Sequence, residues 1–293
     1  MSYLDDKSFG MTLLEGRTLF REQLNKLYKT QEIDFYYKFL LEHGLSRNPI
    51  QLALNPNERF DEQEISNLRR ALNQLIKYTP LQYITGKAFF RDLKLRVSPK
   101  VLIPRPETEE LVDWILKEYK VLQSKKIRVL DLGTGSGCIA IALAKEQKQF
   151  LVSALDIDPE IIALAKENAL NNKVTIDFRL GDMTQLPSTK EQFDVLVSNP
   201  PYVMQSEKKQ MKTNVLKFEP HQALFVPEDD PLLFYRCILD YAEDHLVMNG
   251  SLFFEINPLL VQELNDLIRL YSYRVSERMD IFGKVRMLRL QKI

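Results

Sequence analysis

The stretch IRVLDLGTGSGCIAIALA, at residues 127–144, decides the fold of this chain. It begins with an apolar run of strand length, turns at three glycines that alternate with Thr134 and Ser136, and continues as an apolar run of helical length. Glycines at such a turn let the backbone approach a ligand, and the N-terminus of the following helix favours a negatively charged group. The stretch therefore predicts a strand, a ligand-binding turn and a helix at the carboxyl edge of an open sheet.

Strands and helices alternate from residue 127 onward. The apolar runs that predict strands lie at 127–132, 150–156, 174–180, 193–198 and 250–256, and helical patterns separate most of them. This alternation predicts a mainly parallel sheet with helices on both faces. Residues 273–278 and 284–291 predict a closing antiparallel pair. We therefore expect an α/β, Rossmann-like domain with seven strands and an antiparallel C-terminal strand.

The chain before this sheet has a different pattern. Apolar side chains recur at helical spacing from about residue 10 to residue 80, which predicts a small all-α domain over residues 1–80. Apolar residues on either side of Arg91-Asp92 then predict a short β-hairpin, in a linker over residues 81–108. The α/β domain is expected over residues 109–293.

Composition restricts the function of the 293-residue chain. Acidic and basic side chains are equal in number, and a formal net charge of zero argues against a protein that clamps a long stretch of nucleic-acid backbone. Two cysteines and three histidines show neither a disulfide framework nor metal-ligand spacing, so we expect a reducing compartment and no metal. The first residues lack a signal-peptide pattern and no apolar run reaches membrane-spanning length, so we predict a soluble, cytoplasmic protein with no membrane partner.

The glycine turn distinguishes between nucleotide cofactors. A dinucleotide-binding fingerprint requires Gly or Ala at the position of Cys138, and a P-loop requires Gly-Lys-Ser/Thr, which is absent. Three acids instead follow successive predicted strands, although each alone also fits a helix cap or a turn. Asp131 could receive an amino group, Asp156 both hydroxyls of a ribose, and Asp182 an adenine amine. An amine, a carboxylate, a ribose and an adenine together describe S-adenosyl-L-methionine better than NAD.

A second unusual segment, Asn199-Pro200-Pro201-Tyr202, directly follows the predicted strand 193–198. The two prolines fix two φ angles and remove two backbone donors, so the segment is rigid and rich in acceptors. Its side-chain hydrogen-bonding groups are the amide of Asn199 and the phenol of Tyr202. This combination favours binding of a planar amide or amine through its N–H groups, although a strand that ends in a Pro-Pro turn is an alternative.

The glycine turn and Asp156 together resemble class I S-adenosylmethionine-dependent methyltransferases. The resemblance implies that the cofactor contacts Asp131, Gly133, Thr134, Gly135, Ser136, Gly137, Asp156, Asp182, Met183 and Asn199. The segment 199–202 narrows the resemblance to enzymes that methylate planar nitrogens. These include DNA adenine methyltransferases and the protein glutamine methyltransferases that act on translation release factors.

Motifs outside this core resemble the release-factor glutamine N5-methyltransferase family. They are Pro80–Gly86, Leu102–Glu109, Phe218–Pro220 with Ala223–Leu224, Phe254–Ile256 and Gly283–Arg286, and the resemblance covers most of the chain from about residue 79. It implies methyl transfer from S-adenosyl-L-methionine, leaving S-adenosyl-L-homocysteine, to the amide nitrogen N5 of the glutamine in the Gly-Gly-Gln motif of class 1 peptide chain release factors. It also implies that the helical domain helps to hold this protein substrate, although a purely structural appendage is an alternative for this domain. No nucleic-acid substrate is expected.

The chemistry of the target amide assigns expected roles within the segment 199–202. Asn199 Oδ1 and the Pro200 carbonyl each accept a hydrogen bond from one of the two N–H groups of the amide, and the Pro200-Pro201 pair keeps these acceptors rigid. Tyr202 packs against the amide and sets its depth. These four residues are therefore the expected catalytic and substrate-binding residues.

Four further positions carry open questions. Arg105 and Glu107 could border the glutamine pocket or pin the loop over the cofactor, or they could form an interdomain salt-bridge pair. Asn257 stands where the family often has Gly, and Met183 where it often has an aromatic residue. Because Asn tolerates left-handed backbone and Met can pack on an adenine face, we expect little consequence from either departure.

Other functions remain alternatives from the sequence. A nucleic-acid adenine or guanine N-methyltransferase would use the same segment 199–202. It predicts a basic groove and usually a target-recognition domain, which zero net charge and the lack of a large insertion do not favour. A binding module that keeps the cofactor site without catalysis is disfavoured by the intact glycines and acids. An NAD oxidoreductase is disfavoured by Cys138.

Overall fold

The computed structural model describes residues 10–120, 126–187 and 189–293. These residues fall into two units. One comprises the described residues up to Lys87 together with Thr213–Phe218, and the other comprises the described residues of Ala88–Lys212 and Glu219–Ile293. Within the described ranges, none of the helices combines the length and apolar character that crossing a membrane requires.

The N-terminal part of the helical unit follows from its sequence pattern. Its helices are α1 (Leu13–Leu24), α2 (Thr30–Phe39), α3 (Gln51–Leu54), α4 (Glu62–Ile76) and α5 (Leu81–Thr85), and a π-helical turn at Leu40–Gly44 follows α2. At the start of α4, Asp61 and Glu64 each accept a hydrogen bond from the other's backbone amide, an arrangement that satisfies free N–H groups of the first turn. One face of α4, with Leu68, Leu72 and Leu75, is buried in the core of this unit. The predicted all-helical pattern is confirmed.

A seven-stranded sheet forms the centre of the second unit. The strands of the chain are β1 (Lys87–Phe90) and β2 (Leu93–Arg96), which form the predicted hairpin, and β3 (Ile127–Leu132), β4 (Phe150–Asp156), β5 (Asp177–Leu180), β6 (Phe193–Ser198), β7 (Leu246–Glu255), β8 (Tyr273–Met279) and β9 (Val285–Lys292). The order in the sheet is β5-β4-β3-β6-β7-β9-β8. The first five of these neighbours are parallel, and β9 is antiparallel to both β7 and β8.

Helices cover both faces of this sheet. They are α6 (Pro106–Glu118), α7 (Cys138–Glu146), α8 (Pro159–Asn171), α11 (Leu233–His245) and α12 (Val261–Ile268). The short helix α10 (His221–Leu224) precedes α11, and α9 (Thr213–Phe218) belongs to the helical unit. Neighbouring residues of one strand point to opposite faces, so Phe253 joins one apolar core and Phe254 the other. The predicted Rossmann-like architecture is confirmed.

Two predicted strand boundaries are wrong. β5 begins at Asp177 rather than at residue 174, because its pairing with β4 begins at Ser153 and Asp177. β7 begins at Leu246 rather than at residue 250, and its register against β6 shifts near this end. The sequence Asn249-Gly250 is typical of a turn, and Asn249 does have a φ of 65°, but here it forms an irregularity inside a longer strand.

The strand order explains where a ligand can bind. The connection after β3 leads to β4 on one side and the connection after β6 leads to β7 on the other side, so a crevice opens between the carboxyl ends of β3 and β6. Leu132 is in register with Leu155 on one side and with Ser198 on the other. The Ser198 hydroxyl also donates to the Leu132 carbonyl at 2.7 Å. The residues that follow β3 and β6, Gly133 and Asn199, therefore begin side by side.

Candidate active site

A cavity of about 340 Å³ lies at the carboxyl edge of the sheet, beside the turns after β3 and β6. This volume falls within the range of small-molecule sites in proteins. The predicted site residues that line the cavity are Arg105, Gly133, Thr134, Gly135, Ser136, Asp156, Asp182, Met183, Asn199 and Pro201. The predicted site residues that lie outside its lining are Glu107, Asp131, Gly137, Pro200 and Tyr202. The structure thus brings the glycine turn, two of the three acids and the start of the segment 199–202 together.

The glycine turn depends on backbone conformations that other residues rarely adopt. Gly133, Gly135 and Gly137 have φ values of 77°, 55° and 83°. A Cβ atom on Gly133 would lie 2.5 Å from Cε of Met183, whereas one on Gly135 would meet no atom within 4 Å. Gly135 therefore presents open backbone toward the cavity, and its amide N–H is held by Asp156 Oδ2 at 2.9 Å.

Asp131 lies beneath this turn, not in the wall of the cavity. It is fully buried, and its Oδ2 accepts the Thr134 hydroxyl at 2.6 Å. Within the described part of the chain, no hydrogen bond reaches its Oδ1. Burial raises the pKa of Asp131 to about 7, and the bond from Thr134 opposes this increase. A carboxyl group that titrates near neutrality therefore lies under the turn, and one of its oxygens receives no hydrogen bond from the described residues.

The other two predicted acids line the cavity. Asp156 ends β4 and is largely buried, which raises its pKa, while the Gly135 amide acts in the opposite direction. Asp182 follows β5, and its Oδ1 accepts both the amide and the hydroxyl of Thr184 at 2.8 Å. Two acidic side chains thus border the same cavity from neighbouring strand ends, as expected from parallel strands.

Sequence reasoning missed the apolar wall of the cavity. Ile157, Ile161 and Phe234 line it together with Met183 and the segment 99–102. Ile157 stands between two acids directly after β4, and its side chain is 46% exposed. The sequence shows an isoleucine between two acids at the end of a predicted strand, and this pattern was an available signal, whereas the exposure of Ile157 is known only from the structure. The helix position of Phe234, in contrast, gave no such signal, because packing against the core explains it equally well.

Asn199 lies at the cavity with its side-chain amide held at one end. Its Nδ2 donates to the Thr108 hydroxyl at 3.1 Å, and Thr108 lies in the first turn of α6. Thr108 was not predicted as a site residue, although it lies within a quoted motif. Thr108 also lines the cavity. Since Nδ2 is bonded to Thr108, Oδ1 is the end of the amide that remains for a ligand.

Tyr202 is fixed by three contacts outside the cavity lining. Its phenol donates to Glu255 at 3.0 Å, its amide donates to the Leu224 carbonyl at 3.2 Å, and its carbonyl accepts from Asn257 Nδ2 at 3.0 Å. Asn257 has a φ of −74°, so its backbone does not require the conformational freedom of glycine. Asn257 Nδ2 also donates to Oε1 of Glu207 at 2.7 Å. Asn257 therefore connects Tyr202 with the segment that follows Tyr202.

Arg105 forms its ion pair with Glu219 rather than with Glu107. The Arg105 guanidinium, at the cavity, lies 2.5 Å from Oε1 of Glu219, whose side chain is 1% exposed. Among the described residues, none forms a hydrogen bond with Oε2 of Glu219. A buried carboxylate with one partner depends strongly on that partner. The motif that contains Glu219 was recognised in the sequence, but its connection to Arg105 was not.

Comparisons with known proteins show the family and the fold of this chain. The chain matches the family model described as "Methyltransferase small domain" over residues 114–224 and the one described as "PrmC N-terminal domain" over residues 17–86. It is 41% identical over 284 residues to the release factor glutamine methyltransferase of Flavobacterium psychrophilum, covering 96% of this chain and 99% of that protein. The corresponding protein of Bacteroides thetaiotaomicron is 39% identical over 270 residues, covering 92% of this chain and 96% of that protein. A crystal structure of a methyltransferase from Pyrococcus furiosus has a TM-score of 0.50 at 19% identity, covering 79% of this chain and 99% of that chain, and shows the shared fold.

Proposed function

This chain belongs to the family of release factor glutamine methyltransferases, and we propose that it transfers a methyl group from S-adenosyl-L-methionine to N5 of the glutamine in the Gly-Gly-Gln motif of class 1 peptide chain release factors. S-adenosyl-L-homocysteine is the other product. The observation that carries this proposal is the position of Asn199, which lies at the cavity beside the glycine turn. Its Nδ2 is bonded to Thr108, so it offers an acceptor to a substrate that presents N–H groups.

The donor set of the cavity fits S-adenosyl-L-methionine, which supplies an electrophilic methyl group when it is bound. Asp156 suits the two hydroxyls of a ribose, and Asp182 suits an exocyclic adenine amine. Ile157 and Met183 provide the apolar surface that an adenine ring requires. The turn residues proposed to contact the cofactor are Gly133, Thr134, Gly135, Ser136 and Gly137. Asn199 is proposed to border it.

Asp131 has a separate role in this proposal. An ammonium group bound over the turn would be attracted by its carboxylate, one oxygen of which has no hydrogen bond in the described part of the chain. Nearby positive charge favours the ionised form of a carboxyl group, which burial otherwise disfavours at this position. Asp131 therefore fits the amino group of the cofactor better than a neutral ligand.

The chain contributes to the reaction mainly by orientation. A glutamine amide nitrogen is a weak nucleophile, because its lone pair is delocalised into the carbonyl. Asn199 Oδ1 and the Pro200 carbonyl each accept a hydrogen bond from one of the two N–H groups of the glutamine amide. These two bonds fix the amide plane and aim the nitrogen at the methyl group. Well-arranged orientation of this kind is worth up to about 7–11 kcal/mol. The acceptors also bind more strongly as positive charge develops on the nitrogen, and the proton then leaves to water.

Neighbouring residues complete the proposed substrate site. Pro201 lines the cavity, and Tyr202, anchored outside its lining, holds the segment so that the depth of the amide is set. Of Arg105 and Glu107, Arg105 lines the cavity and is the one we propose to border the glutamine pocket.

The helical unit is proposed to recognise the protein substrate. Residues 17–86 match the N-terminal domain model of this family, and large apolar side chains of this unit, such as Phe35 and Leu54, are more than half exposed. In this proposal residues 1–80 are the recognition domain, 81–108 the linker and 109–293 the catalytic domain. The cytoplasm is the proposed compartment, since both cysteines are free thiols and release factors are the substrate.

The direct test is transfer of a labelled methyl group. The purified enzyme is incubated with labelled S-adenosyl-L-methionine and either a class 1 release factor, the same factor with the motif glutamine changed to alanine, or duplex DNA. Label on the unmodified factor alone is the expected result. Label on DNA would instead identify a nucleic-acid methyltransferase, and cofactor binding with no label on any acceptor would identify a binding module.

A further inference from the structure

A buried carboxylate outside the cavity connects the two ends of the segment 199–202. Glu255, at the end of β7, is 1% exposed and lies outside the cavity lining. Its Oε2 accepts the Thr108 hydroxyl at 2.6 Å, and its Oε1 accepts the Tyr202 phenol at 3.0 Å. A buried carboxylate is unfavourable unless such bonds form, so Glu255 constrains both donors strongly.

The direction of these hydrogen bonds determines how Asn199 is oriented. A hydroxyl group has a single proton, and that of Thr108 is donated to Glu255. Thr108 can therefore only accept from Asn199, and it does so from Nδ2 at 3.1 Å. A reversed Asn199 amide would bring Oδ1 against the oxygen of Thr108, where two acceptors would face each other without a proton.

Charged groups around Glu255 act on it from two elements. Burial raises the pKa of Glu255, while the bonds from Thr108 and Tyr202 and the nearby Arg286 of β9 oppose the increase. Glu107 of α6 raises the pKa further through its negative charge. Both oxygens of Glu255 accept hydrogen bonds from hydroxyl groups, which is the arrangement that an ionised carboxylate forms.

We propose that Glu255 and Thr108 are positioning residues for methyl transfer, because together they keep the Asn199 amide turned with Oδ1 toward the substrate. The inference rests on the proposed function, since it concerns how the same site holds its target amide. Its consequence is selectivity for an acceptor group that carries N–H bonds. A glutamate in place of the target glutamine would present oxygen atoms to Asn199 Oδ1, so we expect no methylation of that release-factor variant.

The test compares variants that differ only in the hydroxyl group. Thr108→Val keeps the shape of the side chain and removes the hydroxyl, whereas Thr108→Ser keeps the hydroxyl. We expect kcat to fall about 10- to 100-fold in Thr108→Val, with little change in KM for the release factor, and to recover in Thr108→Ser. Ser251→Ala is the matched control, because it removes a buried hydroxyl from the same strand as Glu255, bonded to Arg289 at 3.1 Å.

A second measurement determines the orientation of the Asn199 amide without an activity assay. In protein labelled with ¹⁵N at asparagine, the side-chain amide of Asn199 is assigned by its loss in Asn199→Ala. We expect protected Nδ2 protons in the wild type and in Thr108→Ser, and loss of this protection in Thr108→Val. Thr108→Ala serves the same purpose if Thr108→Val does not fold.

The outcomes separate this inference from the proposed function. Wild-type kcat in Thr108→Val, an unchanged Asn199 amide in that variant, or an equal loss of activity in Thr108→Ser or Ser251→Ala would each overturn the positioning role. A wild-type enzyme that does not methylate the release factor would refute the proposed function. In that case the amide spectra would still decide whether Thr108 orients Asn199.

Discussion

Replacing Asn199 by alanine is the perturbation that tests the proposed mechanism most directly. The side chain donates through Nδ2 to Thr108 at 3.1 Å, and Asn199 lines the cavity, where Oδ1 is the proposed acceptor. Alanine removes the Oδ1 acceptor while the rigid Pro200-Pro201 backbone stays in place. The second acceptor, the Pro200 carbonyl, therefore remains, and the target amide can rotate about this single bond.

The magnitude follows from the number of acceptors. Loss of one preorganised group that binds developing charge costs about 10²- to 10³-fold in kcat, or about 2.7–4 kcal/mol. The freed rotation of the amide moves the nitrogen out of line, so we expect the upper end of this range. Asn199→Asp should lose a similar amount. Its second oxygen would face Thr108, whose hydroxyl proton is already donated to Glu255.

The assay is single-turnover methyl transfer to a release factor, with cofactor affinity measured by calorimetry. Cofactor Kd is expected to change by less than about threefold, since the loss arises in the transition state. Asn265→Ala is the matched control, because that asparagine also donates its side-chain amide, to Glu277 at 2.9 Å, but lies outside the cavity lining. Activity of Asn199→Ala within about threefold of the wild type would refute the reasoning.

Three other predictions concern the cofactor turn and the buried acids. Gly133→Ala should destabilise the protein by about 1–2 kcal/mol in chemical unfolding, because φ at this position is 77° and the new Cβ would lie 2.5 Å from Cε of Met183. The same change should weaken cofactor binding, and an unchanged cofactor affinity would contradict this prediction. Asp131 has a pKa of about 7 in the ligand-free protein, and a bound ammonium group favours its ionised form. Below pH 7, cofactor binding should therefore release the proton of Asp131, and cofactor affinity should fall up to about tenfold for each unit by which the pH is lowered. Calorimetry in buffers of different ionisation enthalpy measures this release, and Asp131→Asn should abolish it. Arg105→Ala leaves the buried Glu219 carboxylate without its ion-pair partner and should destabilise the protein by about 3 kcal/mol in urea unfolding. Adding Glu219→Gln to that variant should restore stability. Equal unfolding midpoints of the single and the double variant would contradict the pairing of Arg105 with Glu219.

The sequence predicted those features that depend on neighbouring residues. The alternation of apolar runs predicted the sheet, because burial of a strand between two helical layers requires a continuous apolar run. Glycines at 133, 135 and 137 predicted a tight turn, and each has the positive φ that favours glycine. The strand ends were less predictable. Asn249-Gly250 is typical of a turn, and whether it interrupts or ends β7 depends on the register with β6.

Contacts between distant segments explain what the sequence left open. Arg105 and Glu219 are 114 positions apart, and neither their charge nor their spacing identifies them as partners. Phe254-Glu255-Ile256 was recognised as a motif, yet the role of its glutamate depends on Thr108, which is 147 positions away. Asp131 was expected to receive an amino group of the ligand, and its burial under the turn, outside the cavity lining, depends on how that turn packs and could not be predicted from spacing.

By itself, the sequence determined the type of the elements, the place of the glycine turn at a strand end, and the rigid acceptor segment 199–202, because these depend on local backbone preferences and on burial patterns of short range. The tertiary structure decided the insertion of β9 between β7 and β8, and which side chains hold Asn199 and Arg105. The physical reason is that a hydrogen bond between distant segments requires a particular strand order and register. Those are fixed by the packing of the whole sheet, and no spacing along the chain encodes them.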